Sequence, residues 1–208
     1  LAVTMTGELC DCFETKRHGV DAILTAVEAA ANGRPVRVWG TDGRFVSVDE
    51  GRREYLTVAA ANWHALATYA GRLAPTGRAV PIDVGSTTTD VTPLLDGVPV
   101  PQGKTDPDRL AALELGYVGA RRTPVCTFTG LTAAAELFAT TLDVYLLLGL
   151  IPEDVADTDT ADGRPATVAH AHARLSRMVC GDPELTPRET TRALADAVFR
   201  QQTEHFRK

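Results

Sequence analysis

Pro81-Ile-Asp-Val-Gly-Ser-Thr-Thr-Thr-Asp90 decides how this chain is read. Residues 80–84 are apolar apart from Asp83, so the spacing predicts a buried strand. An acid in such a strand is costly unless it is paired or holds a cation. Gly85 lets the backbone turn where a side chain would clash. Ser86, Thr87, Thr88 and Thr89 then bring hydroxyls and backbone N–H groups to one point, and Asp90 closes the set. Such a turn can cradle phosphate oxygens, with a carboxylate on either side for a divalent cation. Strand, Gly-Ser turn and strand are also an ordinary hairpin, in which threonine is at home. The acid before the turn is what an ordinary hairpin has no use for.

The chain has 208 residues, 44% hydrophobic and 23% charged, with net charge −6. That is a globular composition. The acidic balance argues against nucleic acid or an anionic membrane as main partner. A small anionic ligand remains compatible, because a local group of arginines outweighs the global sign. The cysteines Cys10, Cys12, Cys126 and Cys180 are unevenly spaced and read as reduced, in a cytoplasmic protein. The longest apolar run, 144–151, is too short to cross a bilayer. Leu1-Ala-Val-Thr4 reads as the inside of a strand, so the expectation is that a segment precedes it.

Periodicity predicts helices over 19–32, 52–73, 106–115, 133–148, 166–179 and 187–206. Short strands are predicted near 1–5, 36–39, 45–48 and 125–128. Strands and helices alternate in the first half and helices dominate the second, which makes the fold α/β with an attached helical part. Glu136 and Asp143 are placed on one face of the apolar 133–148 helix, as a site or a buried ion pair. The paired Arg121 and Arg122 suit bidentate capture of an anion. Glu8 and Thr6 follow a strand end, where open α/β sheets bind ligands. Gly97 to Thr105 mimics a P-loop, but its spacing is one residue too long and two prolines remove N–H donors. Lys104 can still reach a phosphate from that loop.

Several segments carry a family resemblance. They are Val3-Thr-Met-Thr-Gly-Glu-Leu9, Ile82-Asp-Val-Gly-Ser-Thr-Thr-Thr-Asp90, Gln102-Gly-Lys-Thr-Asp106, Arg122-Thr-Pro-Val-Cys126 and Phe138-Ala-Thr-Thr-Leu-Asp-Val144. Together, and in this order, they resemble the hydantoinase/oxoprolinase-type branch of the actin-like ATPase superfamily. Within it they resemble the group linked to tetrahydromethanopterin and methanofuran biosynthesis.

The resemblance implies an actin-like ribonuclease-H-type fold, a mixed sheet flanked by helices in two lobes with a cleft. Residues 1–78 would be the remainder of the first lobe and 79–208 the second. The family's Asp-x-Gly-Gly strand-turn and its C-terminal glycine-rich segment have no counterpart here, so truncation at both ends is expected. The implied reaction joins an (aminomethyl)furanmethyl diphosphate to the phenol of γ-glutamyltyramine and releases diphosphate. Asp83 and Asp90 would hold Mg²⁺. Gly85 to Thr89, Lys104 and Arg122 would hold the diphosphate, and Glu8 would be the base. Thr6, Glu136 and Asp143 would contact substrate. ATP is not required in this reading, and a homodimer is compatible with it. The competing expectations are an ATP-dependent amide or lactam hydrolase and a non-catalytic partner of the same pathway.

Overall fold

The computed structural model describes residues 1–205. It is a mixed α/β protein of helices and small sheets, in two compact units. The first comprises residues 1–83 and 90–116, the second residues 84–89 and 117–208.

The first unit opens with β1 (Ala2–Val3), which pairs in parallel with β2 (Arg37–Trp39), while β3 (Phe45–Val46) adds an antiparallel edge. The parallel pair requires a crossover, supplied by α1 (Lys16–Ala31). The Thr15 hydroxyl caps α1 at its start, and Asn32 in the left-handed region ends it. Val20 and Leu24 of α1 pack with Met5, Val38, Val46, Val48 and Val58 into the core of this unit. A three-stranded antiparallel sheet follows, of β4 (Arg78–Ala79), β7 (Leu94–Leu95) and β8 (Val98–Pro99). β5 (Ile82–Val84), β6 (Thr89–Val91) and β9 (Leu115–Gly116) form a third sheet in the order β5-β6-β9. α5 (Asp106–Ala111) starts with a capping box between Thr105 and Asp108, and Pro107 lies in its first turn.

The long helix expected over 52–73 is broken into α2 (Val48–Arg53), α3 (Tyr55–Val58) and α4 (Asn62–Ala70). The Thr57 carbonyl is taken by the Thr41 N–H at 2.8 Å. That competing bond diverts the chain, and Ala60 enters the left-handed region at φ 49°. Periodicity signalled helix but could not signal this tertiary competitor.

In the second unit α6 (Thr141–Leu148), α7 (Val168–Met178) and α8 (Arg188–His205) pack together. Val144, Leu147, Leu175, Met178, Leu194 and Val198 form their core. The expected helix over 133–148 begins only at Thr141, because Thr140 and Asp143 make a capping box. Ala134 and Ala139 instead bond to Met178 and Val125. Glu136 is therefore not on this helix. The segment expected as a strand near 125–128 is a 3-10 turn, Val125–Thr127. Phe206, the last residue of the expected C-terminal helix, lies outside the described residues.

Asp143 is fully buried against Arg174 of α7, whose Nε donates to its Oδ1 at 2.7 Å. Burial pushes the Asp143 carboxyl above the ordinary aspartate range, against the pull of Arg174 and the Thr140 N–H. Removing one partner of such a pair leaves an uncompensated buried charge. Arg174→Met should cost about 3–5 kcal/mol in urea unfolding. Replacing Asp143 by Leu in the same chain should recover most of that loss. Equal destabilisation in single and double variants would contradict the ion-pair account.

Candidate functional site

The hairpin turn is closed by the Gly85 N–H donating to the Thr88 carbonyl at 2.8 Å. Ser86 and Thr87 are exposed at its tip. Their hydroxyl oxygens are 3.5 Å apart, close enough to act on one ligand. Thr89 is different. It is fully buried, and its hydroxyl donates to the Val118 carbonyl at 2.6 Å. Its role is to anchor the turn, whereas the sequence placed it among the phosphate contacts. The strand before the turn is not buried either: Ile82 and Val84 are 56% and 49% exposed. Asp83 therefore stands in solvent, and burial imposes no need for a counterion on it.

Asp90 is the carboxylate that protein surrounds. Arg109, only 1% exposed, donates from Nη1 to Asp90 Oδ1 at 2.7 Å and from Nη2 to the Glu114 carbonyl at 2.9 Å. The Trp63 ring backs the guanidinium at 3.8 Å, a cation–π contact. Burial raises the Asp90 carboxyl above the ordinary range. Arg109 pulls it down, and the nearby Asp83 and Asp106 charges push it up. Asp83 and Asp90 line one small recess with Trp63, Leu66, Ala67, Pro81 and Thr92, with a cavity volume of about 10 Å³, room for about one water molecule. Glu114 is buried and accepts the Gln102 and Gly103 N–H groups. It thereby holds the loop on which Lys104 stands exposed.

A second segment is stitched to the turn. Ala120 N–H donates to the Gly85 carbonyl, and the Arg121 and Arg122 N–H groups both donate to the Ser86 carbonyl at 3.0 and 2.8 Å. The approach is close because residue 119 is glycine. A Cβ there would sit 2.5 Å from the Ser86 carbonyl carbon and oxygen and from the Thr87 nitrogen. Gly119 is held in turn by Thr123, by Thr141 at the start of α6 and by Gln202 of α8. Arg122 thus stands beside the turn, its side chain 62% exposed. Arg121 points to a polar loop instead, with Nη2 at 2.6 Å from both Asp157 oxygens. That bond holds the Asp157 carboxyl below the usual range.

The remaining residues named from sequence each have their own surroundings. Thr6 is exposed, and Glu136 is exposed with its carboxylate accepting the Leu137 N–H. Asp143 is occupied by Arg174 and the cap of α6. Glu8 is 2% exposed, and its Oε2 has no hydrogen-bond partner among the described residues. Cys10, Cys12 and Cys180 are exposed free thiols. Sequence reasoning missed Trp63, Arg109, Glu114, Gly119, Asp157 and Asp159. The one local signal was the glycine before the Arg121-Arg122 pair. Arg109 is 19 residues from Asp90 and announces nothing locally.

Among the described residues no three His, Cys, Asp or Glu side chains are grouped to hold a metal. The donor set at the hairpin therefore suits magnesium only in company with substrate oxygens, which is how that ion commonly binds. No described helix is long and apolar enough to cross a membrane.

The Arg109 contact makes a titration prediction. Arg109→Gln removes the bond and charge that lower Asp90, so the Asp90 carboxyl should titrate at still higher pH. Arg109→Lys, which keeps the charge, should fall between. Carbon-detected NMR of the Asp90 carboxyl reads this directly, and an unmoved titration would contradict the coupling.

A hydantoinase/oxoprolinase family profile matches residues 1–206. The chain is 36% identical over 215 aligned residues to "(4-{4-[2-(gamma-L-glutamylamino)ethyl]phenoxymethyl}furan-2-yl)methanamine synthase" of Methanocaldococcus jannaschii. That alignment covers all of this chain and 64% of the relative. A protein of the same name from Methanococcus vannielii is 38% identical over 109 residues, 49% of each chain. The chain thus spans about two thirds of the length of the first relative. The profile match along all of the described residues, joined to the full-chain likeness, places the protein in the hydantoinase/oxoprolinase family.

Proposed function

We propose that this chain carries the diphosphate-handling part of a transferase that makes a furanmethyl aryl ether in methanofuran biosynthesis. The observation that carries the reading is the likeness, along all of this chain and 64% of the relative, to a synthase whose product contains a phenoxymethyl-furan bond, together with the hydroxyl-tipped hairpin. In this reading the fold is the actin-like one, in two lobes with a cleft.

The reaction breaks the bond between the furanmethyl carbon and the diphosphate oxygen. The bonding electrons leave with diphosphate. The phenol oxygen of γ-glutamyltyramine forms the new bond to that carbon, and its proton passes to a base. Because the furan ring stabilises positive charge on the methylene, the main demand is stabilisation of the leaving group. Ser86, Thr87 and Thr88 offer hydroxyl donors to the phosphate oxygens, and Arg122 adds a fixed positive charge. Lys104 is assigned to the same anion. Asp83 and the Oδ2 oxygen of Asp90 would hold Mg²⁺, which when bound offsets charge on the departing diphosphate. Arg109 keeps Asp90 oriented for this by holding its other oxygen. Glu8, whose buried Oε2 has no partner among the described residues, is the assigned base. The leaving group is already a diphosphate, so ATP has no role in this scheme. The setting is cytoplasmic.

Asp83 offers the clean test, because its exposure separates chemistry from folding. Asp83→Asn should leave the unfolding midpoint unchanged and lower turnover by about 10²–10³, the loss typical of a removed transition-state contact. It should also weaken Mg²⁺-dependent pyrophosphate binding by calorimetry. Near-normal turnover and binding would sink the hairpin assignment.

A further inference from the structure

The segment after Gly119 presents a puzzle of charge. The backbone N–H groups of residues 120–122 are tied to the Gly85 and Ser86 carbonyls, so Arg122 stands next to the hydroxyl turn. Yet the loop facing it brings carboxylates. Asp157 takes Arg121 at 2.6 Å, and Arg121 Nη2 also donates to the Asp159 carbonyl at 2.9 Å. Within the loop the Asp159 N–H donates to Asp157, Thr160 bonds the Arg164 carbonyl, and Asp154 pairs with Ala166. Asp162 ties the far side of the loop to Arg174 and Arg177. The loop is therefore riveted on both sides.

One carboxylate does little for that riveting. Asp159 lies 3.5 Å from Arg122 and 3.3 Å from Arg121 Nε, with its side chain 66% exposed. Exposed pairs at such distances contribute little to stability. A carboxylate beside an anion site also repels the anion. Its presence makes physical sense when the ligand carries a cation as well. The product named for the relatives is a methanamine, and a primary alkyl amine is an ammonium at neutral pH, as the lysine side chain is.

We propose that Asp159 is a specificity-determining residue that binds the ammonium group of the diphosphate substrate while Arg122 binds its phosphate. The loose Arg122–Asp159 pair of the free protein is a stand-in for a ligand bearing both charges. Substrate replaces each partner with its own opposite charge, so the amine-bearing diphosphate gains from both residues. A simple anion gains only from Arg122 and must compete with Asp159 for it. This rests on the diphosphate reading above and adds the source of selectivity for the aminomethyl group.

The test uses the full chain with Mg²⁺ and calorimetric titration of three ligands. These are inorganic pyrophosphate, the (aminomethyl)furanmethyl diphosphate, and its analogue with methyl in place of aminomethyl. In Asp159→Asn the amine-bearing ligand should bind about tenfold more weakly, as expected for loss of a charged hydrogen-bond partner. Pyrophosphate and the methyl analogue should bind equally well or up to about fivefold more tightly, in line with release of an exposed competing charge. Asp159→Glu, which keeps the charge, should restore preference for the amine. A shift of the same sign and size for all three ligands, or none for any, overturns the inference while leaving the diphosphate reading standing. If the unaltered chain binds none of the three, the diphosphate reading falls and this inference with it.

Discussion

The contact on which the second unit's site depends is the backbone approach of Gly119 to the Ser86–Thr87 peptide. No side chain fits between them. Because they touch, the N–H groups of residues 120–122 reach the Gly85 and Ser86 carbonyls. Because those bonds form, the two arginines stand at the turn. The Gly119 carbonyl accepts from Thr141 and Gln202, so α6 and α8 set the position of the hydroxyl turn through one peptide group. A buried polar group with several partners resists displacement, which is what a site needs if its donors are to be in place before substrate arrives.

Arginine is the second organising element. In a chain with a net charge of −6, Arg109, Arg121 and Arg174 are each committed to a carboxylate of their own unit. Arg109 and Arg174 are almost fully buried, and each has a flat wall or a second partner besides its carboxylate. Arg122 departs from this pattern, with an exposed side chain and one distant carboxylate. That contrast is what separates scaffold from site among residues that look alike in sequence.

Some of this was legible beforehand. Helix caps and turns depend on a few adjacent residues, so α1, α7 and the hairpin stood close to where periodicity and turn residues put them, whereas α5 opened at Asp106 as expected but ended at Ala111, short of 115, because Leu115 pairs in β9. The Thr140–Asp143 box could have been read as a start signal, and doing so would have removed Glu136 from the helix. Reading Asp83 as buried failed because apolar content was taken for burial, and strand burial depends on what covers the strand. Thr89 was grouped with its neighbours because all carry hydroxyls, but side chains alternate in direction along a strand, and only the Val118 carbonyl reveals which way this one points.

By itself the sequence determined the chemistry on offer: a glycine turn with hydroxyls, flanking acids, paired arginines and an order of motifs that names the family. Those are properties of short segments, and short segments carry them intact. Tertiary structure decided how each charge is used. Asp90 finds Arg109, Arg121 finds Asp157 and Asp143 finds Arg174 across separations of 19, 36 and 31 residues. Pairing at that range depends on which surfaces the core brings together. An isolated aspartate or arginine looks the same in sequence whether it will be buried and matched or left facing solvent, and the difference between those fates is what makes a functional group.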